Sequence, residues 1–217
     1  MRFFRSHDDY AMIAPFFDAL LGPFMTAVRR EIGQIMRRLA VRDVLDICCG
    51  TGRQVRLLAE SGMRGIGIDR SPSMLDTARS KSRKSIPFLL GDARNLPFHD
   101  NSFDGAILSF ALHENEPRMW HPMVREATRI LRPRGILLIL DYLAPRIPAS
   151  PGAAGPLLIH VVEWMAGERH FRNFRKFVSH GGLGRVLEEH PLRITDRSIH
   201  FFGMVGLVGC VKERSIS

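Results

Sequence analysis

The sequence predicts an α/β fold built on a doubly wound, mostly parallel sheet. Three observations carry this. Apolar runs at 43–47, 64–69, 86–90, 103–110 and 136–140 are separated by segments of helical spacing, and such alternation argues for parallel strands joined by crossovers. The first run, Val44-Leu45-Asp46-Ile47, enters a small-residue turn, Cys48-Cys49-Gly50-Thr51-Gly52, and then a helix over 54–61. The acidic and small polar residues that suggest a site fall at the carboxyl ends of these strands, where ligands bind on such sheets.

The turn after strand one sets the chemistry. A glycine turn between strand and helix lets backbone approach a ligand, and the free N–H groups of the helix start favour an anionic end. The dinucleotide fingerprint G-x-G-x-x-G is not met by Cys48-Cys49-Gly50-Thr51-Gly52-Arg53, and no phosphate loop is present. Strand two, 64–69, ends in Asp69. A carboxylate about 20 residues past the turn can accept from both hydroxyls of a ribose. Ser71 is placed to cap the next helix, with Pro72 at its first position. Strand three leads into Gly91-Asp92-Ala93, where an acid beside an exposed N–H suits an adenine edge.

The remaining elements follow in order. Residues 10–40 read as helical, with apolar residues at helical spacing and a break at Gly22-Pro23. Residues 101–110 are a turn into strand four, 116–131 a helix, 131–135 a turn and 136–140 strand five, ending at Asp141-Tyr142. Residues 144–156, rich in proline, glycine and alanine, are a loop. Residues 157–167 are an apolar helix carrying His160 and Trp164, and 171–178 and 183–189 are short helices. There is no internal repeat and no second domain.

Composition excludes several classes. A length of 217 residues, 45% hydrophobic and 24% charged, suits one globular domain with a sizeable core. The first ten residues are polar and mixed in charge, unlike a leader, and no apolar run reaches the roughly 20 residues of a membrane span. Three cysteines, two of them adjacent, form no disulfide framework, so a reduced, cytoplasmic setting is expected. The net charge of +9 reads first as a solvated basic surface. It also leaves open peripheral contact with an anionic membrane surface. Nucleic acid is not the expected partner, because aromatics interleave with the basic residues only over 170–177. No metal site is expected: His113-Glu114 is followed by Asn115-Glu116-Pro117, so H-E-x-x-H is not met, and no Cys/His set has zinc spacing.

Four motifs together resemble one family. They are D-x-x-C-G-T-G at Asp46–Gly52, G-D-A-x-x-L-P-F at Gly91–Phe98, the pair Phe103-Asp104 and Leu112-His113, and Leu131-Arg132-Pro133-Arg134-Gly135. Over about 41–141 the chain resembles the class I S-adenosylmethionine-dependent methyltransferases, in the small-molecule branch around the ubiquinone and menaquinone C-methyltransferases. Cys48 stands where many members have the first glycine of the turn, and Arg134 replaces a glycine of L-[KR]-P-G-G.

The resemblance implies a seven-stranded Rossmann-like methyltransferase fold, with 192–202 and 205–212 as an antiparallel C-terminal hairpin turned near Gly203. It implies S-adenosylmethionine as cofactor and S-adenosylhomocysteine as product. The cofactor residues it implies are Asp46, Cys48, Cys49, Gly50, Thr51, Gly52, Asp69, Arg70, Met74, Asp92, Ala93, Ser109 and Phe110. Residues 10–40 become a helical cap, 41–141 the cofactor core, and 144–190 an acceptor-side insertion. His113 is the expected general base, with Tyr10, near the cofactor, and His160 as the candidates behind it. The expected acceptor is a small apolar or aromatic molecule. Two other readings stay open: methylation of RNA or protein, and a cofactor-binding sensor or partner subunit without turnover. Against the first, Ser109-Phe110-Ala111-Leu112 stands where amino-methylating nucleic-acid enzymes carry N-P-P-[FY].

Overall fold

The fold was analysed in a computed structural model, which describes residues 17–144, 159–160, 163–164 and 166–212, with side chains from Met25 onward. The expectations for Tyr10 and for most of the 144–156 loop lie outside the described residues. The elements are α1 (Phe17–Arg38), β1 (Asp43–Ile47), α2 (Arg53–Glu60), β2 (Arg64–Asp69), α3 (Pro72–Ser80), β3 (Phe88–Leu90), β4 (Phe103–Ser109), α4 (Pro117–Arg129) and β5 (Leu131–Tyr142). They are followed by α5 (Glu168–Ser179), α6 (Gly182–Glu188), β6 (Leu192–His200) and β7 (Val205–Lys212). The seven strands form one sheet in the order β3-β2-β1-β4-β5-β7-β6. β1–β2, β2–β3 and β4–β5 pair in parallel, and β7 runs antiparallel to both β5 and β6. The predicted sheet and its closing hairpin are therefore present.

Contacts group the chain into two compact units, Met1–Asp92 and Ala93–Ser217. In the first, Val55, Leu75, Ala78 and Phe88 make a buried cluster with Cys49 and Ile86 packed against it. Val44, Leu45 and Ile47 of β1 are fully buried, as expected for a strand covered on both faces. Ser71 caps α3 by accepting from Met74 N–H at 3.2 Å, with Pro72 at the first position. In the second unit, Ile136–Leu140 of β5 are buried between β4 and β7. Phe174 and Phe177 bury the inner face of α5, and Trp120 packs edge-on to Phe177 at 5.1 Å.

Two local expectations need correction. The break at Gly22-Pro23 does not occur: α1 is one helix through both residues. An internal proline removes a single helical hydrogen bond, and a 22-residue helix has many left to hold it. The turn at 131–135 is instead a bulge inside β5. Phe103 pairs with Leu131 and Gly105 with Ile136, so extra residues loop out within one strand. Arg134 takes the left-handed backbone there (φ 68°), the conformation for which the family's glycine is suited. Asp104 accepts from Arg132 at 2.6 Å and fastens the bulge to β4. The expected helices at 54–61, 116–131, 171–178 and 183–189 match α2, α4, α5 and α6 to within a few residues, and the start of the first helix and part of the 157–167 helix lie outside the described residues. The hairpin turns through Phe201, Phe202 and Gly203, all at positive φ. No helix among the described residues is long and apolar enough to cross a membrane.

Close packing at the turn gives a direct test. A Cβ on Gly52 would meet the Phe88 ring at 2.5 Å, at a φ of +69°. Gly52→Ala should cost about 2–4 kcal/mol from left-handed strain and overpacking combined. Gly33, within α1, would meet nothing within 4 Å, so Gly33→Ala should gain about 0.5–1 kcal/mol. Chemical denaturation of the two variants reads both signs; equal effects would contradict the packing described.

Candidate active site

The first cluster surrounds the turn after β1. Asp69, at the end of β2, accepts from Gly50 N–H at 2.8 Å with one carboxylate oxygen and from Ser71 N–H at 2.9 Å with the other. One side chain thus joins the glycine turn, the end of β2 and the cap of α3. Cys48 holds a left-handed backbone (φ 59°), as do Gly50 and Gly52, so the cysteine adopts what a glycine would adopt freely. Strain of this kind gathers at functional sites. Met74 lies alongside, its sulfur 4.0 Å from where a Cβ on Gly50 would be. Thr51 is buried.

Asp46 is buried. Burial pushes its carboxyl up from 3.8 to about 7, against the pull of Arg29 and with a further push from Asp69. A cationic ligand beside it would favour the charged form. Burial, then the charges of Asp46 and Asp69, hold the Cys49 thiol well above its ordinary value. Cys49 is therefore a small packed residue and not a thiolate. Arg70 and Asp92 are exposed, and Ala93 is buried at the start of the second unit.

The second cluster lies at the carboxyl ends of β4 and β5. Phe110 follows Ser109 at the end of β4, with a left-handed φ of 50°, and its N–H donates to Leu140 at 2.7 Å. Its ring meets Tyr142 edge-on at 5.7 Å and His113 at 6.0 Å. His113 is 2% exposed. Its Nδ1 donates to Asp141 at 2.8 Å, and its Nε2 lies 3.5 Å from Glu163. Asp141, fully buried, also accepts from the backbone N–H groups of Leu112 and Tyr142. Glu163 accepts from Tyr142 O–H at 2.6 Å and pairs with His170 Nε2 at 2.5 Å.

Burial opposes the charged form of His113, but Asp141 and Glu163 outweigh it and raise the imidazole well above its ordinary value. Burial would likewise raise Glu163, yet His113 and His170 hold its carboxyl far below the usual carboxylate range. Burial and the Glu163 charge push the Tyr142 hydroxyl far up. His113, the base expected from sequence, thus has a carboxylate against each ring nitrogen.

Sequence reasoning missed Asp141's hold on His113, and it missed Glu163 and His170 altogether. Their signal was faint. Glu163 and His170 come from the segment beyond β5, about 50 residues from His113, and no spacing rule links them. His160, expected as a reserve base, is exposed and meets Phe174 edge-on at 5.4 Å.

Residues 44–135 match the family model described as a methyltransferase domain. The chain's curated relatives include a demethylmenaquinone methyltransferase of Thermotoga maritima, 35% identical over 129 residues, which cover 58% of this chain and 55% of that protein. The enzyme of the same name from Listeria welshimeri is 33% identical over 155 residues, covering 66% and 65% respectively. The chain thus spans between about half and two thirds of the length of these relatives. Among solved structures, a Pyrococcus horikoshii protein aligns over 96% of this chain and 93% of its own, at TM-score 0.62 and 22% identity. A SAM-dependent methyltransferase from Methanosarcina mazei aligns over 80% and 93%, at TM-score 0.57 and 20% identity. Both likenesses are of fold.

Asp46 makes the stability of the ligand-free protein depend on pH. Its folded value lies above its unfolded one, so the folded state binds the extra proton, and stability falls as pH rises from about 4 through 7. The full cost of ionising it is on the order of 4 kcal/mol. Asp46→Asn should flatten this slope and raise the melting temperature more at pH 8 than at pH 5. Parallel melting curves for variant and wild type across that range would show that Asp46 is not the group responsible.

Proposed function

We propose that the protein transfers the methyl group of S-adenosylmethionine to a small apolar or aromatic acceptor of quinone type. The observation that carries this is Asp69, an acid at the end of β2 seated on the glycine turn. It stands where a ribose would be held, in a chain whose relatives are named for demethylmenaquinone. Gly50, Thr51 and Gly52 would present backbone to the methionine portion, with Cys48 and Cys49 as small turn residues. Asp46 would face the cationic groups of the cofactor, and Met74 and Arg70 would flank it. Asp92 and Ala93 would take the adenine edge, and Ser109 and Phe110 would complete the cofactor set.

Methyl transfer from a sulfonium is a direct displacement. It requires an acceptor atom held in line with the S–CH3 bond and little covalent help from the protein. A hydroxyl or carbon acceptor must also lose a proton. We place that chemistry at the His113 cluster, where the rings of Phe110, Tyr142 and Phe174 pack edge-on around the imidazole.

A thermal melt tests the cofactor assignment. S-adenosylmethionine or S-adenosylhomocysteine at about a hundred times its dissociation constant should stabilise by roughly 2.7 kcal/mol, a rise of about 5–10 °C at this size. NAD should give none. Asp69→Ala should weaken binding by roughly 1.5–3 kcal/mol; unchanged affinity would overturn the ribose assignment. His113→Ala should abolish turnover of a demethylated naphthoquinol while sparing cofactor binding. Cofactor binding with no product from any quinol or phenol offered would favour a sensor over an enzyme.

A further inference from the structure

The His113 cluster has the makings of a metal centre. His113 and His170 both turn Nε2 toward the same Glu163 oxygen, at 3.5 and 2.5 Å. Donor atoms of His113, Glu114 and His170 all lie within 4.8 Å of one another. His113 donates Nδ1–H to Asp141, the carboxylate–imidazole arrangement that fixes the tautomer of metal-bound histidine and leaves Nε2 as the ligand atom. Asp141 is in turn held by backbone N–H groups, so the orientation is built into the ends of β4 and β5.

Charge points the same way. Asp141 and Glu163 put two carboxylates in the interior. Among the described residues their partners are backbone N–H groups, imidazoles and the Tyr142 hydroxyl. Buried charges call for pairing or for a metal: His113 lies against both carboxylates, and one divalent ion would take over that balance with the imidazole neutral.

From this geometry we infer that His113 Nε2, His170 Nε2 and the Glu163 carboxylate, with Glu114 within reach as a fourth ligand, bind one divalent transition-metal ion of the zinc class. Mixed imidazole and carboxylate donors suit zinc, iron, nickel or cobalt better than magnesium or calcium. Bonds of about 2.0–2.1 Å in tetrahedral geometry set ligand atoms roughly 3.4 Å apart. The His113, Glu114 and His170 donors must therefore draw in by up to about 1.4 Å from their 4.8 Å limit, and His170 and Glu163, 2.5 Å apart, must part by about 0.9 Å. Rotation of Glu114 and His170, both only half-buried, allows that and gives the ion a way in. The inference is independent of the cofactor assignment at Asp69, but a metal on Nε2 takes the nitrogen that would receive an acceptor's proton, so in this reading His113 is a metal ligand and not the base.

Cobalt titration of the full chain after chelator treatment tests it. One equivalent of Co2+ should bind and give visible absorption bands of tetrahedral intensity, and Zn2+ should displace it. His170→Ala and Glu163→Gln should each weaken binding by more than tenfold, and Asp141→Asn, one shell out, by about 10–100-fold. His121 and His190 form a second histidine pair at 3.1 Å, so His190→Ala is the control and should leave the bands unchanged. His170 is half-buried on α5, so its variant keeps the test decisive if Glu163→Gln fails to fold. No stoichiometric cobalt, or cobalt lost in His190→Ala and retained in His170→Ala, would overturn the site and leave a hydrogen-bonded cluster alone.

Discussion

The Asp69 carboxylate is the tie on which the candidate cofactor site depends. It takes an N–H from the glycine turn and another from the cap of α3. Three pieces of chain meet there: the end of β2, the loop after β1 and the start of the next helix. Charge-assisted hydrogen bonds of this sort are stronger than neutral ones, and backbone donors cannot be replaced by mutation. The small residues follow from the tie. A turn that brings Gly50 N–H within 2.8 Å of the acid needs left-handed backbone at three nearby positions, and Phe88 leaves no room for a side chain at Gly52.

Both clusters hold charge or strain that the fold alone does not require. Asp46 is buried with its carboxyl raised. Cys48 and Phe110, non-glycine residues just past the ends of β1 and β4, both sit at positive φ. Asp141 and Glu163 place two carboxylates around one imidazole. Each feature lowers stability relative to an apolar, relaxed alternative. A ligand that answers them would stabilise the folded chain: a sulfonium and ammonium beside Asp46, and a cation or an acceptor at His113.

Local rules made much of this legible. Apolar runs with a period, a small-residue turn and an acid at the end of the next strand are encoded within some 25 residues, so β1, α2, β2, Asp69 and the Ser71 cap could be read directly. The bulge at Arg134 could not, because Leu-Arg-Pro-Arg-Gly looks like a turn until pairing with β4 pulls it into a strand. The continuity of α1 through Pro23 was hidden for the converse reason: local breaker residues were overridden by the rest of a long helix. Glu163 and His170 were invisible because their meaning arises only when the segment beyond β5 meets His113. Contacts across such separations leave no periodicity and no fixed spacing in one sequence.

The most direct test of the central claim is a crystal structure of the protein with S-adenosylhomocysteine. The account predicts the ribose hydroxyls on the Asp69 carboxylate, the homocysteine portion along Cys48–Gly52 and the adenine edge at Asp92 and Ala93. Ligand bound with Asp69 still closed on Gly50 and the ribose held elsewhere would contradict it.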